Sequence, residues 1–142
     1  MKKTLLSVVL LAGQALAGGF YLQLGNPEAS PEARKLHAAL TIQVAGCHDP
    51  AAAKVTATAI GVVNGQRREI ALKLEPLSAP GRFALAQQWP KEGKWVIALA
   101  ATNGELFTNS LIKAGPEGVD RYHDKADHRK FTDADVDAML QQ

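Results

Sequence analysis

Only one cysteine, Cys47, stands in the 142 residues, so no intrachain disulfide can form and the fold has to be held by packing. No apolar run approaches the ~20 residues that a membrane-crossing helix needs. Also missing are G-x-S-x-G, H-E-x-x-H and a glycine-rich phosphate loop, the arrangements that announce a serine hydrolase, a zinc protease or a nucleotide site. Nor does one sign of charge prevail. The chain holds 16 basic and 14 acidic residues, and Lys2 and Lys3 account for the difference, which leaves 14 of each beyond them. A formally neutral body gives no electrostatic ground for binding nucleic acid or an anionic membrane.

What is present begins with "MKKTLLSVVLLAGQALAGG". Two lysines follow the initiator, an apolar stretch runs from Leu5 to Ala12, and Ala15 and Ala17 flank Leu16. That is the layout of a cleavable secretory signal over residues 1–17, with cleavage expected between Ala17 and Gly18. The expected mature chain of 142 − 17 = 125 residues suits one domain with a core of its own, soluble in the periplasm or secreted.

Cys47 lies in "VAGCH", which has the residue types of a bacterial lipobox. A lipobox cysteine directly follows the apolar core of the leader, whereas Glu28, Glu32, Arg34 and Lys35 separate Cys47 from it. Lipidation is therefore not expected. An unpaired thiol in an oxidising compartment leaves open a redox role or a disulfide tether to a partner. Cys47 shares parity with Thr41 and Gln43, which predicts a thiol pointing away from the core.

The apolar residues repeat every second position. Leu40, Ile42 and Val44 alternate with Thr41, Gln43 and Ala45, the pattern of a half-buried strand. Asn64-Gly65 supplies two positive-φ positions for a type I′ hairpin turn. A two-residue loop there pairs Val63 with Gln66, Ala59 with Ile70, Ala57 with Leu72 and Val55 with Leu74 on an apolar face. The same register pairs Ile60 with Glu69, Thr58 with Ala71, Thr56 with Lys73 and Lys54 with Glu75 on the other. Turn chemistry and binary pattern agree, and a one-residue slip would invert both faces. A second hairpin is expected around Pro90–Lys94, pairing Trp89 with Trp95, Leu85 with Leu99 and Phe83 with Ala101. Asn103-Gly104 then turns the chain toward "ELFTNSLIK", where the alternation is less regular. With "FYLQL" near the expected mature start, about seven short strands result, which predicts an all-β antiparallel sandwich over residues 18–113.

Pro80, Gly81, Phe83, Gly93, Trp95, Asn103 and Gly104 carry a resemblance. The stretch from Gly19 to Ile112 resembles small immunoglobulin-like β-sandwich modules of exported bacterial proteins. The resemblance implies an immunoglobulin-like fold and a binding or accessory role. It implies no catalytic residues, and the paired cysteines of antibody domains are missing. Trp89 and Trp95, sharing parity with Ile97 and Leu99, are expected to seal the core rather than form an exposed platform.

After Lys113 the periodicity ends. Residues 114–130 read as a polar linker and residues 131–142 as a short amphipathic helix. Thr132 is placed as N-cap, Asp135 as capping-box acid, and Phe131 and Val136 as a hydrophobic staple. Asp133, Asp135 and Asp137 imitate the start of a calcium loop, but Ala138 stands where glycine is needed. In "HDKADH", a helical reading sets His123 against Asp127 and Asp124 against His128 at i,i+4, which makes these four the candidate metal ligands. Cys47 and His48 form a second candidate pair for copper or zinc, though neighbours on a strand point oppositely. The sequence thus predicts a non-catalytic, exported interaction module with a protein partner and no cofactor. A periplasmic copper- or zinc-binding protein is the alternative.

Overall fold

The computed structural model describes residues 19–142; the expected leader and its cleavage point lie outside the described residues. The chain enters β1 (Tyr21–Gly25) and reaches a short helix, α1 (Pro31–Lys35), whose N-cap Ser30 accepts a hydrogen bond from the Ala33 amide. There follow β2 (Ala38–Ala45), β3 (Lys54–Val63), β4 (Gln66–Leu72), β5 (Glu75–Pro76), β6 (Arg82–Ala86), β7 (Lys94–Asn103) and β8 (Leu106–Gly115). Two short strands, β9 (Gly118–Val119) and β10 (Lys125–Asp127), precede helix α2 (Asp133–Leu140). Each of the seven segments read as strands is a strand of five or more residues, and β5, β9 and β10 add two or three residues each.

All pairings are antiparallel and build two sheets. One has the order β1-β2-β6-β5; the other runs β10-β8-β7-β3-β4, with β9 also on β8. Their facing sides share one core, to which Leu40, Ile42 and Leu85 come from the first sheet and Trp95, Ile97 and Leu99 from the second. The result is a two-layer, sandwich-like all-β architecture.

The first hairpin forms in the expected register from Val63↔Gln66 to Ala57↔Leu72, with Asn64 and Gly65 at φ of 51° and 75°. It stops there. The expected pairs Val55–Leu74, Thr56–Lys73 and Lys54–Glu75 do not form, because the chain leaves this sheet after Leu72 and Glu75 pairs with Ala84 in the other. The Gln88 side chain takes over at the crossing: its Oε1 accepts from the Lys73 amide and its Nε2 donates to the Lys73 carbonyl, both at 2.9 Å. Pro76, which has no N–H to donate, occurs on a strand at the sheet edge.

The second expected hairpin is not one. β6 pairs with β2 and β5, while β7 pairs with β3 and β8, so Phe83 and Leu85 face Trp95, Ile97 and Leu99 across the sandwich. Shared parity here records burial against one core from opposite sides. Trp89 and Trp95 are both buried. Their indole N–H groups donate to the carbonyls of Gly115, at 3.0 Å, and Glu92, at 2.8 Å. Residues 114–130, read as a linker, contain β9 and β10, both bonded to the free edge of β8. Such edge strands join through the backbone, so they need no apolar periodicity.

Candidate functional site

The outer side of the larger sheet is only partly covered. Helix α2 begins with the capping box read from the sequence, Thr132 with Asp135, and buries Val136, Met139 and Leu140 against Ile60, Val96 and Leu111. Phe131 packs at the edge of this second cluster as the staple residue. Beyond the first turn of α2 the sheet face turns to small residues, Thr56, Thr58, Ala98 and Ala100. Phe107 and Phe131 help wall a cleft there of about 280 Å³.

The tail is fixed beside this cleft by a clasp. Asn109 of β8, 5 % exposed, points outward beneath residues 127–131. Its Nδ2 donates to the Asp127 carbonyl at 2.6 Å and to the Arg129 carbonyl at 2.8 Å, and its Oδ1 accepts from the Phe131 amide at 3.2 Å. One side chain thus replaces a strand partner for a segment with no regular ladder. Asp135 completes the arrangement. It accepts from Arg129 at 2.8 and 3.0 Å, from the Thr132 amide at 2.8 Å, from the Thr132 hydroxyl at 2.9 Å and from Lys125 at 3.3 Å. The Arg129 guanidinium, followed by these further donors, holds its carboxyl far below the usual carboxylate range. Lys125 and Arg129 also each lie 5.7 Å from the centre of the Phe131 ring, which places two cations against this aromatic side chain.

The four residues in "HDKADH" do not converge. The segment is turn and strand rather than helix, so the i,i+4 relation has no geometric meaning there. His123 Nδ1 lies 2.8 Å from Asp120 Oδ2, and this contact is the main cause that lowers the Asp120 pKa. Asp124 is exposed. Asp127 accepts from the amides of His128 and Arg129 at 2.7 and 3.1 Å, the Arg129 bond being the larger cause of its lowered pKa. His128 Nδ1 meets the Phe107 carbonyl at 3.1 Å. Among the described residues no three His, Cys, Asp or Glu side chains gather as a ligand set.

Cys47 departs from the orientation read from its parity. β2 ends at Ala45, and Gly46 at φ 76° breaks the alternation, so Cys47 is half-buried and packs against the main core while His48 is exposed. The thiol is free. The pair therefore does not form a two-ligand arm. Asn109 and Arg129, the residues that organise the tail, were not singled out by sequence reasoning. The only trace is "TNS" at 108–110, three polar residues in a strand and all buried.

No helix among the described residues is long and apolar enough to cross a membrane. No family model, curated protein or solved structure matches the chain.

Proposed function

We propose that this chain is a non-catalytic interaction module of the immunoglobulin-like class that works outside the cytoplasm and binds a protein partner through the cleft beside Phe131. The strand orders β1-β2-β6-β5 and β8-β7-β3-β4 support the class, since they correspond to an ABED sheet facing a GFCC′ sheet. Export rests on the leader-like sequence at residues 1–17.

The observation that carries the binding role is the half-covered sheet face. At about 280 Å³ the cleft is smaller than the ~300–1,000 Å³ typical of sites for whole ligands. It suits one inserted side chain of a partner, an anchor ringed by less important contacts. Lys125, Asp127, Arg129 and Asp135 are engaged with one another and His128 with the Phe107 carbonyl, contacts that tie the tail together rather than set a nucleophile beside a base. A photo-crosslinking side chain at Thr56, inside the cleft, should give a discrete protein adduct in exporting cells, lost when Ala98→Trp fills the floor. The same adduct from a crosslinker at Glu117, or its persistence in Ala98→Trp, would rule out the cleft.

A further inference from the structure

The opposite face of the molecule, on the smaller sheet, holds a separate feature. On β1, residues Tyr21, Gln23 and Gly25 alternate with the core residues Leu22 and Leu24 and therefore point outward. Register then sets Gln23 beside Gln43 of β2, and Gln43 beside Arg82 of β6. Three long polar side chains stand in one cross-strand row, about 10 Å long at the ~4.8 Å strand spacing. They rim a recess of about 250 Å³, and Thr41, 3 % exposed, lies beneath them in the next row. Tyr21, 45 % exposed, flanks the row two residues before Gln23 on the same face.

The hydrogen bonding of the row is incomplete in a directional way. Gln43 uses its Nε2 on the carbonyls of Val44, at 3.0 Å, and Pro80, at 3.2 Å, which fixes the amide and leaves Oε1 as an oriented acceptor. Gln23 makes no side-chain hydrogen bond among the described residues, so both ends of its amide are free for a ligand. Arg82 is half-buried and takes part in none of the ion pairs among the described residues. Glu32, whose carboxylate feels the Arg82 charge, accepts from the Ser78 amide at 3.1 Å and makes no ion pair with Arg82. A guanidinium in a partly desolvated row is matched by a planar, bidentate anion, and a carboxylate fits that fork. The amides and the threonine hydroxyl suit hydroxyl groups, which both donate and accept. A tyrosine beside them offers an apolar face with a polar tip, to which a sugar ring can stack.

We propose that the Gln23–Gln43–Arg82 row binds a carboxylate-bearing saccharide, with a uronic acid unit at Arg82 and its neighbouring ring toward Tyr21. A peptide carboxylate would satisfy Arg82 but leave unused the two amides that continue the row to one side of it, and an apolar peptide side chain finds no apolar floor here. The site is independent of the cleft beside Phe131, which lies on the other sheet.

The processed protein, carrying its full mature chain, would be titrated with a galacturonic acid trisaccharide, the neutral galactose trisaccharide of the same linkage and a glutamate tripeptide, in the presence of a chelator. NMR should show saturable shifts at Tyr21, Gln23 and Gln43 with the uronate, at least 10-fold weaker binding of the neutral sugar and none of the peptide. Arg82→Gln should bring uronate binding down to the level of the neutral sugar. Gln23→Ala, a substitution on an exposed edge-strand residue that should leave the fold intact, should weaken both sugars together. Absence of saturable shifts with either sugar, uronate affinity unchanged in both variants, or preference for the peptide would overturn the proposal. The last outcome would make the row a protein contact.

Discussion

Asn64 and Gly65 bear the left-handed backbone of the β3–β4 turn, and no neighbouring atom lies within 4 Å of the place a β-carbon on Gly65 would take. Any cost of a side chain there is therefore conformational rather than steric. Gly65→Val should lower stability by about 1 kcal/mol or more, because a β-branched residue resists positive φ. An unchanged denaturant midpoint would refute the turn assignment. Asn109 acts differently, through hydrogen bonds to three backbone groups of the tail. Asn109→Ala leaves those groups to water or to nothing, and should cost on the order of 2 kcal/mol. Amide exchange of residues 127–131 should speed up in the variant while the main core stays protected. Exchange that is uniform across the chain would show that Asn109 supports the whole sheet instead of the tail. A strand asparagine flanked by Thr108 and Ser110 is visible in the sequence, but its partners are 18 to 22 residues away along an irregular segment. No periodicity encodes such a contact.

At the level of elements, the sequence carried most where one local rule sufficed. The Asn64-Gly65 turn with the register next to it, Val63–Gln66 to Ala57–Leu72, and the capping box of α2 depend on local neighbours and formed as read, whereas the hairpin pairs farther from the turn did not. The expected Trp89–Trp95 hairpin failed because parity specifies which way a residue faces and not which strand lies beside it. The linker reading failed on β9 and β10 for a related reason, since both are held by backbone pairing to β8, and β10 by the Asn109 clasp as well. This tail depends on ionised carboxylates. Asp120, Asp127 and Asp135 all have pKa values lowered in the folded chain, by His123, by the Arg129 amide and by the Arg129 guanidinium respectively. A lowered folded pKa gives stability that is fully present above the unfolded carboxylate value, ~3.9, and is lost as pH falls through the folded value. The tail and α2 should therefore loosen below about pH 4 while the sandwich, whose core is apolar, persists. Hydrogen exchange at pH 3 and pH 7 checks this, and Asp135→Asn should reproduce the acid behaviour at pH 7. Equal protection of residues 125–140 at both pH values would show that these pairs contribute nothing to holding the tail.

For the whole molecule, the two surfaces argued to bind arise from topology rather than from any short motif. Gln23, Gln43 and Arg82 are spread over 60 positions and meet only because β2 lies between β1 and β6. Thr56, Ala98 and Phe131 meet because α2 folds back over β3, β7 and β8. The segment that looked most chemical, His123 to His128, is instead a strap at the sheet edge. If the chain is exported as proposed, lipidation is the alternative to a free mature chain, and Cys47 is where it would appear. Its thiol packs half-buried on the core at the end of β2, with folded chain on both sides. Processing at Cys47 would delete β1, α1 and β2, and with them Gln23, Gln43 and the Leu40 and Ile42 contribution to the core. A sandwich without two of the four strands of one sheet would leave Trp95, Ile97 and Leu99 partly uncovered, a loss comparable with the ~5–15 kcal/mol by which domains are stable. Intact mass spectrometry of the exported protein should accordingly give a chain beginning at Gly18 with an unmodified Cys47. A diacylglyceryl adduct on a chain beginning at Cys47 would refute the fold's relevance to the exported form together with both proposed surfaces.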